Sequence, residues 1–261
     1  MTADSAPAAA NARTWASGKY IREYQSRDLR PVEAEILLRY RHRLEGRVLE
    51  LGCGAGRVTG YLVELAREVH GIDIAPAMID YCRRTWPTAT FHEGDFTDLS
   101  AFAEASLDTV LAPCNVLDVL SDAERQAMLD ELHRVLVPGG LCVMSSHNRG
   151  YVPNLRRPQI RASLNHPRAF VDDVVKLPRR LRNRRRLVGL EQHADDYVIV
   201  NDGAHDFSLL HYFIFRDAQE RQLLARGFEL IECLDLQGVD VPPGGEAGDM
   251  VELHYVAQRA R

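Results

Sequence analysis

The run Val48-Leu49-Glu50-Leu51-Gly52-Cys53-Gly54-Ala55-Gly56-Arg57-Val58-Thr59 constrains this chain more than any other stretch. Val48 to Leu51 read as a buried strand, a glycine-dense turn follows, and a helix begins near Arg57. Glycines at alternate positions permit backbone angles and close approaches that a Cβ would block. A ligand can therefore lie against bare main chain at a helix N-terminus, where amide donors are free. A loop that uses glycine for turning alone is the plainer alternative. The strand before it and the helix after it supply the context that a ligand-binding loop needs. A second apolar run, Val69 to Ile74, carries Asp73 near its end, 21 positions beyond Gly52. That is close to the spacing at which a second-strand carboxylate reaches ribose hydroxyls in doubly wound folds.

With 261 residues, 46% hydrophobic and 26% charged, the chain suits one globular domain with elaborations, or a domain plus a cap. A net charge of −5 advertises no global affinity for nucleic acid. The cysteines, Cys53, Cys82, Cys114, Cys142 and Cys233, form no C-x-x-C pair and imply neither a zinc site nor a disulfide framework. The first 12 residues read as a disordered tail, without the basic start and apolar core of a signal peptide. No apolar run is long enough to span a bilayer, so a cytoplasmic protein with no transmembrane segment is expected.

The glycine run together with Gly71-Ile72-Asp73-Ile74-Ala75-Pro76-Ala77-Met78-Ile79 resembles the first two motifs of class I S-adenosylmethionine-dependent methyltransferases. A nicotinamide-binding domain more often shows G-x-G-x-x-G, whereas here Arg57 follows Gly56. Gly94-Asp95-Phe96 and Leu136-Val137-Pro138-Gly139-Gly140 resemble two further motifs of that family. The resemblance covers about 46–147 and 207–259, with its specific motifs in the first part. It implies an α/β fold: a Rossmann-like, doubly wound, seven-stranded sheet with an antiparallel last strand and a cap inserted between strands 5 and 6. S-adenosyl-L-methionine is the implied cofactor. Its implied contacts are Glu50, Gly52, Gly54 and Gly56 in the first motif and Asp73, Ile74 and Met78 in the second. Asp95 would accept from the adenine amino group and the Phe96 amide would meet the ring. Met78 as ordinary core and Asp95 as a helix cap are the alternatives.

The implied organisation is helices and a cofactor-binding core over 13–148, a cap over 149–206, and completion of the sheet over 207–261. Before the glycine loop, Tyr20 and Tyr24 either pack one helix face or line the substrate pocket, and a helix spans Pro31 to Leu44. After the loop, a helix from Val58 to Glu68 turns Tyr61, Leu62 and Leu65 inward. The fourth strand, Leu107 to Leu111, leads to Asn115 and Asp118, at the carboxyl end of the sheet where ligands sit. No Asn-Pro-Pro-Phe-type motif stands there, which lowers the odds of base methylation in DNA. The fifth strand, Leu141 to Ser145, exits at His147. A histidine can accept a proton from a hydroxyl or ammonium acceptor near neutral pH. Bonding to a backbone carbonyl is its alternative.

Residues 149–186 hold 12 of the 32 lysines and arginines against only Asp172 and Asp173. Such a patch could grip a phosphate, a nucleotide, an acidic glycan or an anionic membrane surface, with an acidic small substrate or acidic partner placed above RNA, or is a solvated helix that neutralises the domain's acidic remainder. Few aromatics interleave with the arginines, which argues against a base-stacking RNA surface. Further along, His205, His211 and Tyr212 show no tight metal-ligand spacing, so no metal is expected. The leading reading is methyl transfer to oxygen or nitrogen of a small, anionic-leaning acceptor. An RNA or protein methyltransferase docking through the insertion, and a non-catalytic cofactor-binding subunit, stay open. The cap and N-terminal helix offer faces for a homodimer.

Overall fold

The computed structural model describes residues 6–15, 28–151, 167–245 and 247–261. Tyr20 and Tyr24 lie outside the described residues. Two helices open the described chain, α1 (Ala6–Trp15) and α2 (Pro31–Arg39). A strand–helix alternation follows: β1 (Arg47–Leu51), α3 (Thr59–Leu65), β2 (Glu68–Asp73), α4 (Pro76–Thr85), β3 (Thr90–Glu93), β4 (Leu107–Ala112), α5 (Asp122–Val135) and β5 (Leu136–Asn148). The excursion after β5 contains α6 (Pro167–Leu187), β6 (Gln192–His193), β7 (Tyr197–Val200) and β8 (His211–Ile214). The chain closes with α7 (Arg216–Ala225), β9 (Phe228–Leu234) and β10 (Glu252–Arg259).

Local rules account for these elements. β1 is buried from Val48 onward, as a central parallel strand covered on both faces must be. Pro76 starts α4, where a missing N–H costs nothing. Ser121 and Glu124 close a capping box at the start of α5.

Seven strands form the expected sheet in the order β3-β2-β1-β4-β5-β10-β9, and β10 pairs antiparallel with both neighbours. Apolar faces of α2 and α3 cover one side, through Val32, Ile36 and Leu62. On the other, Leu129 and Leu132 of α5 and Leu223 of α7 pack against β4, β5 and β10.

The sheet departs from seven strands in one place. β5 runs through to Asn148, well past the expected end at Ser145, and β4 pairs with it only as far as Met144. Beyond that point β8 takes β4's place beside His147 and Asn148, and β7 and β6 extend the sheet antiparallel. Three extra strands thus build a wall above the carboxyl end of β4. β8 belongs to this wall, so completion of the core sheet begins at α7 rather than at residue 207.

Two other expectations are corrected. The N-terminal tail is helical from Ala6, and Asn11 pins it. The fully buried Asn11 side chain donates to the carbonyls of Val119 (2.8 Å) and Leu210 (2.7 Å) and accepts from the Leu210 amide (2.9 Å). α3 ends at Leu65 and exposes Tyr61, because its inward stripe runs through Val58, Thr59 and Leu62.

Candidate active site

A cavity of about 650 Å³ opens at the carboxyl ends of β1, β2 and β4. The three loop glycines all have positive φ, at 56°, 55° and 73°, yet they serve different ends. A Cβ on Gly52 would stand 2.2 Å from Val116 Cγ2. A Cβ on Gly54 would meet nothing nearer than the Gly52 carbonyl at 4.0 Å, and Gly54 lines the cavity. Gly56 does not line it. Its missing Cβ makes room for the Trp86 ring, which a side chain would meet at 2.3 Å. The missing Cβ of Gly56 thus serves packing, and Gly56, an expected cofactor contact, is not among the residues that line the cavity.

Asp73 closes the loop from β2. Its Oδ2 accepts from the Gly54 amide (2.9 Å) and its Oδ1 from the Ala75 amide (2.8 Å). Burial raises its pKa while those two amides hold it down. Glu50, at the end of β1, is buried and accepts from the Thr59 hydroxyl. Burial pushes its pKa up to about 7, against that bond and the nearby Arg57 charge. Arg57 is spent on Glu33 of α2, which fastens that helix to the glycine loop. Ile74, Met78 and Phe96 also line the cavity, as does Asp95, whose Oδ1 accepts from the Thr97 amide (2.9 Å) and hydroxyl (2.8 Å). That bond pattern is a local turn and not the helix cap weighed above.

At the other end stand the groups of β5 and the added wall. His147 lines the cavity, and its Nδ1 lies 2.7 Å from Asp118 Oδ2. Asp118 was expected at the substrate, but it is fully buried behind the histidine and off the cavity wall. It accepts from the His147 amide (2.6 Å), the Ser146 hydroxyl (2.6 Å) and Arg125 Nη1 (2.7 Å), a guanidinium itself fully buried. With Nδ1 donating to a carboxylate, the imidazole presents an Nε2 lone pair. That Nε2 lies 3.3 Å from Asn115 Nδ2, which also donates to Glu252 Oε2 (2.9 Å). Asn115 is held in the left-handed conformation at φ 57°, and its Oδ1 is buried without a hydrogen-bond partner. Glu252 carries a pKa of about 2. Burial alone would raise it, but His254, Arg30 and Asn115 overcome that effect.

Residues that the sequence reading did not assign complete the wall. The His211 ring stacks on His147 at 5.0 Å between centroids, and its Nδ1 lies 2.9 Å from Asp202 Oδ2. Burial works against charge on His211, but the Asp202 carboxylate prevails and raises its pKa. His147, His211 and Asp202 each bring a possible ligand atom within 4.8 Å of the others, a convergence that spacing along the chain conceals. Ala9, Ala12 and Trp15 of α1 line the cavity as well, in the stretch read as tail and the residues just after it. Only the pairing of β8 to β5 could have exposed the histidine pair in advance. Tyr212 points away, donating to Asp122 (2.6 Å).

Residues 48–140 match the model of the methyltransferase domain family. The chain carries a class I S-adenosylmethionine-dependent methyltransferase domain. This domain is 35% identical over 112 residues to a probable S-adenosylmethionine-dependent methyltransferase of Mycolicibacterium smegmatis, a match covering 42% of each chain. It is 33% identical over 103 residues to an uncharacterized methyltransferase of Synechocystis, covering 40% of this chain and 48% of that one. The chain thus spans less than half the length of either relative. Among solved structures, the fold resembles the 1,6-didemethyltoxoflavin-N1-methyltransferase of Burkholderia thailandensis with bound S-adenosylhomocysteine. The TM-score is 0.59 at 16% identity, over 97% of this chain and 87% of that one. The methyltransferase domain's own geometry fits the cofactor. The open face of Gly54 gives it bare backbone, and Asp73 sets a carboxylate beside that surface.

Proposed function

We propose that this chain transfers a methyl group from S-adenosyl-L-methionine to an oxygen or nitrogen of a small acceptor, with His147 as general base. The observation that carries this reading is the Asp118–His147 pair at the cavity wall, at 2.7 Å. A base is needed only when the acceptor keeps its proton at working pH, as a hydroxyl or ammonium does. When bound, the cofactor supplies an electrophilic methyl on a positive sulfur, and transfer leaves a neutral thioether. Gly52, Gly54 and Asp73 would hold it by backbone contact and by the ribose, and Ile74, Met78, Asp95 and Phe96, which line the same cavity, would surround the base. Asn115 orients the acceptor, whose heteroatom takes the place of the 3.3 Å Asn115–His147 contact. His147 Nε2 would take the acceptor's proton, from a hydroxyl as its oxygen attacks and from an ammonium before its nitrogen has a lone pair to attack with. Asp118 keeps the imidazole in the accepting tautomer and stabilises the imidazolium that results. The cavity of about 650 Å³ would hold the cofactor as well as the acceptor, so the acceptor group that enters it is small.

The test begins with calorimetric binding of S-adenosylhomocysteine to wild type and Asp73→Ala. Labelled-methyl transfer to a panel of hydroxyl and amine acceptors follows, with wild type and His147→Gln compared across pH. Tight binding lost in Asp73→Ala, and turnover that falls at least a hundredfold in His147→Gln with its pH dependence abolished, are expected. Full turnover by His147→Gln at every pH would remove the base. Absent binding to a folded wild type would remove the cofactor reading itself.

A further inference from the structure

Helix α6 is inside out. At roughly 100° per residue, five of its apolar residues, Phe170, Val171, Val174, Val175 and Leu181, fall on one arc of about 140°, and among the described residues only Leu187 at its end is an apolar side chain turned fully inward. That arc faces outward, with Val171 57% and Val175 72% exposed. The opposite arc packs inward through Asp173, Arg180 and Asn183, with Leu187 buried at the end of the helix and Asp172 and Lys176 exposed at its margin. Arg180 reaches Asp173 (2.7 Å) and Asp206 (3.2 Å), Asn183 donates to the Asp206 carbonyl (2.9 Å), and Arg184 pairs with Glu191. A helix packed only for the stability of its own domain would turn the other way. The outward face also changes along its length. Its first half is apolar, and its second carries Arg182, Arg185 and Arg186, all exposed.

Charge identifies the occupant. α6 holds eight cations against two acids, a net +6 in a chain of net −5, which leaves −11 on the rest. The inward ion pairs consume Arg180 and Arg184 but leave the outward arginines facing solvent. An apolar stripe that runs on into a cationic one matches the boundary of an anionic bilayer, acyl chains beside charged headgroups. A second copy of this chain would set the arginine halves against each other or leave them unused. RNA would leave the valines unused.

From these observations we infer that α6 is an interfacial helix, which seats the protein on membranes rich in anionic phospholipid. The inference stands apart from the methyl-transfer reading, because none of its residues lines the cavity. The two meet at one loop. Asp206, gripped by Arg180 and Asn183, sits in a turn where His205, Asp206 and Phe207 all have positive φ, and the same turn puts Asp202, Ala204 and His205 on the cavity wall. Docking of α6 thus orients the protein through the loop that borders its acceptor site.

Vesicle flotation tests this with the full chain, using phosphatidylcholine alone and an equal mixture with phosphatidylglycerol. Wild type is expected to float with the mixed vesicles and to stay behind with the neutral ones. Arg182→Gln/Arg185→Gln/Arg186→Gln should lose partitioning on the order of a hundredfold, from about a fivefold contribution per surface cation. Val171→Ser/Val174→Ser/Val175→Ser keeps every charge and should lose at least tenfold. Both variants spare the inward face, and unchanged melting and S-adenosylhomocysteine binding would certify their fold. Failure of wild type to float, or valine variants that float as well as wild type, would overturn the inference. So would a dimer in sedimentation that the valine changes dissolve, or RNA that strips the protein from vesicles at equal charge.

Discussion

Asp118→Asn is the sharpest probe of the site, because the carboxylate it replaces accepts from four donors and meets no solvent. Those donors are Arg125 Nη1, the Ser146 hydroxyl, the His147 amide and His147 Nδ1, all at 2.6–2.7 Å. An asparagine of the same shape has one accepting oxygen, and its amide hydrogens would face donors. Arg125, fully buried, would lose the charge of its ion-pair partner and keep the neutral Ser146 (3.1 Å) and Gln219 (2.6 Å) side chains and the face of the Tyr212 ring. Removing one partner from a buried pair costs about 3–5 kcal/mol, since the remaining charge is uncompensated. In a domain of this size that corresponds to a fall in Tm of roughly 6–20 °C. Scanning calorimetry reads the shift. Adding Arg125→Met to the variant should return much of it, because the stranded charge goes with the second change. S-adenosylhomocysteine affinity should stay near wild type, since Asp118 does not line the cavity. A single variant that melts within about 2 °C of wild type, less than 1 kcal/mol would produce, would refute the reasoning. A double variant no more stable than the single would do so equally.

The glycines should separate under substitution by alanine, read by melting and by S-adenosylhomocysteine calorimetry. Gly54→Ala should cost only the left-handed strain of about 1–2 kcal/mol while weakening the ligand, whereas Gly56→Ala drives a methyl into Trp86 and should destabilise more than it weakens binding. Stability should also carry a pH signature: Glu50 holds its proton up to about 7 when folded and has a reference value of 4.5, so the folded chain binds more protons between those limits. Its contribution therefore declines as pH rises from about 4.5 to 7, by up to about 3 kcal/mol, and over that window wild type should lose stability relative to Glu50→Gln in melting, parallel curves being the refuting result.

What the chain reveals in advance depends on whether a feature is local. The strand–glycine–helix unit, the acid at the end of β2 and the Pro-Gly-Gly entry to β5 are each written in contiguous residues. Their places in the sheet follow from the order of elements. Asp118 shows the limit. Three residues after Asn115 it reads as another residue facing the crevice. The short turn at Val116–Val119 carries it beneath β5 instead, where Arg125, seven residues on along α5, can reach it. The His147–His211 stack is less legible still, because it exists only if β5 outruns β4. Once β4 stops pairing at Met144, the last residues of β5 have an open edge, and a buried edge must find partners for its amides and carbonyls. β8 supplies them at His147 and Asn148, and the register that satisfies the backbone also delivers His211 against His147. The histidine wall is therefore a consequence of strand length. Shortening β5 by two residues would leave the glycine loop and Asp73 as they are and dismantle the histidine pair. The glycine-loop end and the His147–His211 end of this cavity thus have separate structural causes, which is why the motifs disclose the first and are silent on the second.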